Sequence, residues 1–468
     1  MMKMIDVYKY MVLLSSFFGI SLGVFYFFDA NIDIRFPLIT IIFCNVVCFI
    51  HIHFFSGSFL VGIMLLFFST PALPLMPYFF FEEVNWGWLP NLIRAIDLDT
   101  NRKIAIAIAV GCTGLISGSL LFSSKILIKE KRDKLYDPLK MIWFNLFCLV
   151  AILLSYMSAP TGTIFTGAYG GDRLSTIATS IKFAGAYVLS YSIFIALALD
   201  QLRDNSPIAR KKFKRLIASL LYVIIFLQFL RGDRESFGLI ISLMVLYLIS
   251  QSLNFNSNVP IRKHIRSRLF KVLTFSIIGV FLLLAIGILR FTISHGIFGL
   301  SELFRANPWI MALTSFVAFF SAGLDESLLY GRTYLEYLMS IPPGVLTNII
   351  GFDRPIESDA NLAASLVKTG LTSGGAHVAL VALQNFGIFG LFLIMMCYGS
   401  FARILETNAL RSMGLGIFVW LNLIAAVPIW FWYGEMPAIR AIMGAVITYW
   451  LFKISILKRS RKVNGNYA

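Results

Sequence analysis

The feature that most constrains this chain is the recurrence, along nearly its whole length, of apolar stretches long enough to cross a bilayer. A helix needs roughly 17–25 mostly apolar residues to span a hydrocarbon core ~30 Å thick. Twelve such stretches stand near residues 9–28, 35–54, 56–76, 104–123, 140–158, 178–199, 216–231, 236–252, 271–290, 377–400, 413–432 and 437–455. Only 14% of residues are charged, against about 25% in a typical soluble domain, so water is excluded as the main solvent. The expected fold is all-α: a polytopic membrane protein with helices 1–9 in residues 1–290, a large external loop at 291–376, and helices 10–12 with a basic tail at 377–468. The first stretch lacks a small-residue cleavage site and is read as a retained helix.

Orientation follows from where the basic residues fall, because Lys and Arg beside spans accumulate on the cytoplasmic side. With both termini cytoplasmic, 26 of the 40 Lys+Arg lie inside with 7 acids, leaving 14 basic and 17 acidic residues outside. The net charge of +16 is thus a membrane-topology signal, and no nucleic-acid partner is expected. Arg210-Lys211-Lys212 and Arg262-Lys263, beside spans, read as anchors for anionic membrane lipids. Cys44, Cys48, Cys112, Cys148 and Cys397 all fall in spans, where cysteine behaves as a small apolar residue, so neither disulfides nor a metal site is expected. No internal repeat is visible, nor paired Gly/Pro-broken spans of the kind inverted-repeat transporters carry.

Ionisable residues inside spans usually mark ion or proton paths, and the expected span centres are nearly free of them. Charge gathers instead at outer helix ends and in residues 291–376, where the apolar run Ala312-Leu-Thr-Ser-Phe-Val-Ala-Phe-Phe320 predicts helices lying at the membrane surface, or an extra pair of spans. Such a loop suits a substrate with one lipid end and one wet end. Arg231, Arg234, Arg290 and Arg354 stand at or beyond the outer surface, and a guanidinium matches phosphate oxygens bidentately at any pH. Arg231 also has Glu235 one turn away as an ordinary partner. Arg173, Arg305 and Arg332 complete the external set as candidate substrate-loop residues.

A proton acceptor in this region is restricted to His295, His377 and the carboxylates Glu302, Asp325, Glu326, Glu336, Glu357 and Asp359. Of these His377, Glu336 and Asp359 are the catalytic candidates; His377 equally suits a helix-flanking role. Asp97-Leu98-Asp99 has the form of a D-x-D metal site, but hard cations want more oxygen ligands than two carboxylates provide.

Several segments, in order, resemble bacterial O-antigen and oligosaccharide repeat-unit polymerases of the Wzy type. Leu230-Arg-Gly-Asp-Arg-Glu-Ser236 resembles their Gly/Arg helix junction, and Arg290 closes the next span. Tyr337-Leu-Met-Ser-Ile-Pro-Pro343 with Arg354-Pro355 resembles their Ile-Pro…Pro loop, and Thr372-Ser-Gly-Gly375 with Asn385-Phe-Gly-Ile-Phe-Gly390 resembles their Gly-rich lead-in and N-F-G-x-x-G helix. Many relatives carry Glu about a turn before N-F-G, where this chain has Val381.

The resemblance covers roughly residues 225–400 and implies a GT-C-like membrane glycosyltransferase of lipopolysaccharide biosynthesis in the bacterial inner membrane. It implies transfer of the growing glycan from undecaprenyl pyrophosphate to a hydroxyl of the next lipid-linked oligosaccharide unit, on the periplasmic face. The glycosyl pyrophosphate bond carries the energy, so no cofactor is expected, and a chain-length regulator and a flippase are the expected partners. A single displacement would be inverting, with arginines in place of a metal. The alternatives from the same features are an O-antigen ligase and a lipid-linked oligosaccharide flippase.

Overall fold

A computed structural model describes residues 4–28, 31–55, 58–81, 97–122, 245, 308–340, 358–370, 375–412 and 415–457. Among these the elements are α1 (Met4–Phe27), α2 (Arg35–Phe55), α3 (Phe59–Ser69) continued by a 3-10 segment (Thr70–Phe79), α4 (Leu98–Leu121), α5 (Pro308–Ser321), α6 (Arg332–Ser340), α7 (Ser358–Lys368), α8 (Val378–Ser412), α9 (Leu415–Tyr433) and α10 (Met436–Leu457). No strand occurs among the described residues.

Among the described residues six stretches are long and apolar enough to cross a membrane: Tyr10–Phe27, Arg35–Ile52, Phe59–Phe79, Leu98–Leu121, Val378–Ala409 and Leu415–Tyr433. They coincide with six of the twelve expected stretches, and α10 falls on a seventh. The remaining five, from 140–158 to 271–290, lie outside the described residues apart from Val245.

The third span owes its form to proline. Pro71, Pro74 and Pro77 cannot supply α-helical N–H groups, so the helix tightens after Ser69 and continues as a 3-10 segment to Phe79. The fourth begins six residues earlier than its apolar core, because Asp97 caps it by accepting the Thr100 N–H at 2.8 Å.

The chain forms two compact units. The first comprises Met1–Lys125, Ile297–Thr407 and Val427–Ile439; the second comprises Ile126–Gly296, Asn408–Ala426 and Arg440–Ala468. In the first, α1, α2 and α3 pack on α4, which is buried along nearly all its length. The other side of α4 meets α8 through small residues. A Cβ on Gly118 would run into the Met396 carbonyl, one on Gly114 into that of Phe392, and one on Gly399 into that of Leu115. Glycine at these sites lets the two backbones touch, and Ser400 Oγ donates across the contact to Gly118 O at 3.1 Å. In the second unit the rings of Phe418 and Tyr449 pack edge to face at 5.5 Å.

Two sequence expectations change. The apolar run 312–320 forms α5, only 14 residues long, whose middle is buried against α4 and the 3-10 segment. The span expected to end at residue 400 continues as α8 through Arg403 and Glu406, both 1% exposed. Glu406 is held inside because its carboxyl caps α3: Ser58 Oγ donates to it at 2.8 Å, and the N–H groups of Phe59 and Leu60 at 3.1 and 3.0 Å.

Candidate functional site

The site grows from the segment Asn385-Phe-Gly-Ile-Phe-Gly390. Gly387 holds φ +69° and ψ −169°, a conformation open essentially to glycine alone, and it breaks α8. Just before the break, the Gln384 carbonyl accepts the Leu329 N–H at 2.8 Å. Asn385, fully buried, receives the Thr333 N–H on Oδ1 at 3.2 Å and donates Nδ2 to Thr333 Oγ1 and to Val381 O, both at 2.8 Å. It therefore satisfies an N–H at the start of α6 that has no partner within the helix. Phe386 stacks on Tyr334 at 5.6 Å with its ring plane tilted by 24°, and Gly390 leaves the space that the Phe386 side chain occupies. Asn385, Phe386 and Gly390 thus help fix the position of α6.

The consequence is a ring of hydroxyls around one carboxyl. Glu435, in the Gly434-Glu435 turn between α9 and α10, is 5% exposed. Tyr334 from α6 donates to its Oε1 at 2.9 Å, and Tyr398 from α8 donates to the same oxygen at 3.1 Å. Tyr337, also from α6, approaches the carboxyl with looser geometry. Oε2 is buried and accepts no well-formed hydrogen bond from the described residues. Trp430 packs edge to face on Tyr398 at 5.2 Å and limits its movement. Burial pushes the Glu435 pKa up to about 7, partly countered by the tyrosine hydroxyls. Burial, and then the neighbouring Glu435 charge, raise the Tyr334 pKa well above the usual phenol value.

His377 lies immediately before α8 in a box of three rings, Phe68 at 5.3 Å, Phe316 at 5.1 Å and Phe431 at 6.5 Å. Gly375 permits this approach: its φ is +92°, and a Cβ there would stand 3.0 Å from the Trp432 carbonyl. Ser315 Oγ holds the Gly375 carbonyl at 3.1 Å. His377 Nδ1 accepts the Ala379 N–H at 3.2 Å, which assigns the ring proton to Nε2, a buried donor with no hydrogen-bond partner among the described residues. Burial lowers its pKa to about 3. Neither nitrogen is an open acceptor in this arrangement.

Among the other expected site residues, Glu336 and Arg332 pair within α6 at 2.8 Å, with the arginine side chain 74% exposed and the glutamate side chain 10% exposed. Asp359 falls in the first turn of α7, which packs on α5 and α6. Arg173, Arg231, Arg234, Arg290, Arg305 and Arg354 lie outside the described residues. Asp97 and Asp99 are occupied locally: Asp97 caps α4, its pKa lowered by the Thr100 hydrogen bonds, and Asp99 pairs with Arg102 at 3.1 Å and Lys103 at 3.9 Å. Sequence reasoning missed Glu435. The available signal was that it is the sole acid between residues 413 and 457, set in a turn of two residues between apolar helices.

No protein-family model, curated protein or solved structure matches this chain.

Proposed function

We propose that this chain is a glycosyltransferase that polymerises undecaprenyl-pyrophosphate-linked oligosaccharide repeat units at the periplasmic face of the bacterial inner membrane. In this reading it has about twelve spans, cytoplasmic termini and a GT-C-like architecture. The observation that carries the reading is a coincidence of place. The N-F-G-x-x-G segment, one of the ordered pieces that carry the resemblance to Wzy-type polymerases, is the segment that fixes α6 and brings its tyrosines to a buried carboxyl.

The chemistry asks for two things. Negative charge developing on the departing pyrophosphate needs preorganised cations, a role assigned to Arg231, Arg234, Arg290 and Arg354, with Arg173, Arg305 and Arg332 contacting the glycan. The acceptor hydroxyl needs a site enclosed from water where its proton can be taken. Chain-length regulator and flippase of the same pathway are the proposed partners.

The test is reconstitution of the purified chain in lipid nanodiscs with undecaprenyl pyrophosphate carrying the host's repeat unit. A ladder of longer glycans is expected, and it should disappear in Arg234→Ala and Arg290→Ala variants that retain the wild-type thermal midpoint. Product formed only when lipid A core is added would identify a ligase instead. Movement of the lipid-linked unit across vesicles without a ladder would identify a transporter.

A further inference from the structure

The buried turn between α9 and α10 gives the transfer reaction a specific partner. We propose that Glu435 is the proton acceptor of the glycosyl transfer, receiving the acceptor hydroxyl's proton at Oε2 while Tyr334 and Tyr398 hold Oε1. This inference rests on the transferase reading above. In the step, the acceptor oxygen forms a bond to the anomeric carbon, and the bond from that carbon to the pyrophosphate oxygen breaks. Its electron pair leaves with undecaprenyl pyrophosphate, the hydroxyl proton passes to Glu435, and it is released to water before the next cycle.

Three features carry the assignment. First, both well-formed hydroxyl bonds to the carboxyl fall on Oε1, and among the described residues Oε2 is buried without one, with Tyr337 nearby in looser geometry. A carboxylate whose sole task was to tie helices together would be expected to engage both oxygens, since a buried acceptor without a partner costs about 1–3 kcal/mol. Second, the histidine candidate is already engaged, because His377 Nδ1 receives a backbone N–H. Third, the surroundings set the basicity. Among the described residues the titratable groups facing Glu435 are Tyr334 and Tyr337 from α6 and Tyr398 from α8, and together with burial they place its pKa near neutral, where an acid–base group works best.

The assay uses the full-length protein in nanodiscs with the same lipid-linked unit. Glu435→Gln should keep its thermal midpoint and lose at least about 100-fold in rate, the usual range for removing a general base. The wild-type rate should rise with pH through about 7. Tyr334→Phe should still make a ladder, with that rise displaced to higher pH, because the carboxylate loses a hydrogen bond that favours its charged form. A merely structural tie would lower the rate without moving the profile. A Glu435→Gln rate within a few-fold of wild type, or a profile indifferent to Tyr334→Phe, overturns the proposal.

Labelling with dicyclohexylcarbodiimide separates this failure from that of the polymerase reading. Modification of Glu435, read by mass spectrometry, should be suppressed by the lipid-linked unit. If wild type makes no ladder but Glu435 is protected, polymerisation is wrong and Glu435 remains the reactive carboxyl of another transfer from that donor. Absence of protection overturns the Glu435 assignment itself.

Discussion

Tyr334 and Glu435, 101 residues apart in the chain, meet at 2.9 Å through a hydroxyl-to-carboxylate hydrogen bond. The tyrosine reaches that position because Asn385 and Phe386 hold the start of its helix, so a motif in α8 controls the surroundings of a carboxyl in the α9–α10 turn. The consequences are measurable in stability as well as in activity.

The raised pKa of Glu435 makes folding stability pH-dependent in a fixed direction. The folded state keeps the proton up to about pH 7, whereas an ordinary glutamate loses it near 4.5. Stability is therefore fully present below pH 4.5 and declines as pH rises to about 7, by roughly 3 kcal/mol at most. The thermal midpoint of wild type should fall across this window. Glu435→Gln should lack that part of the decline, and equal slopes in the two proteins would contradict the burial argument.

Removing Asn385 should release α6. Asn385→Ala deletes two donated bonds and leaves the buried Thr333 N–H without its acceptor, a loss of about 2–4 kcal/mol. Faster hydrogen exchange confined to residues 332–340 is the expected signature, and exchange unchanged in that segment would count against the role of Asn385.

Gly387 and Gly118 should both resist substitution, for different reasons. At Gly387 a Cβ would find its nearest neighbour at 4.0 Å, so Gly387→Ala is penalised only through φ +69°, by about 1–3 kcal/mol. At Gly118 a Cβ collides with the Met396 carbonyl, so Gly118→Ala must push α4 and α8 apart. Cross-linking of cysteines placed on α4 and α8 should weaken for Gly118→Ala and stay intact for Gly387→Ala.

Glu406→Ala should be among the most damaging changes to stability. It strands the N–H groups of Phe59 and Leu60 and the Ser58 hydroxyl together, at about 1–3 kcal/mol each. Yield of monodisperse protein after extraction is the readout, and Glu406→Gln, keeping one acceptor oxygen, should fall between wild type and Glu406→Ala.

Arg332→Ala offers the converse. Its side chain is 74% exposed, so its pair with Glu336 is screened and contributes less than about 1 kcal/mol. The thermal midpoint should stay within a degree or two. Loss of the glycan ladder in this variant would then report contact with substrate rather than unfolding.

Much of the helix pattern was legible beforehand because length and apolarity are local properties. The stretches at 9–28, 35–54 and 413–432 match α1, α2 and α9 to within a few residues at either end. Boundaries were misjudged where tertiary contacts rescue polar residues. The tenth stretch, expected to end at residue 400, runs on past Arg403 and Glu406, because the first-turn N–H groups of α3 make Glu406 tolerable inside.

The same division holds for the site. By itself the sequence determined that the chain is built of membrane-length apolar helices, because hydropathy and the 1.5 Å rise of a helix leave no other arrangement for such stretches. It also marked the N-F-G-x-x-G segment, by its resemblance to a Wzy-type motif and by glycines suited to close helix packing. Only the tertiary structure decided which carboxyl is enclosed. The tyrosines around Glu435 come from two other helices, and burial and hydrogen bonding depend on side chains that meet in space without any shared period in the sequence.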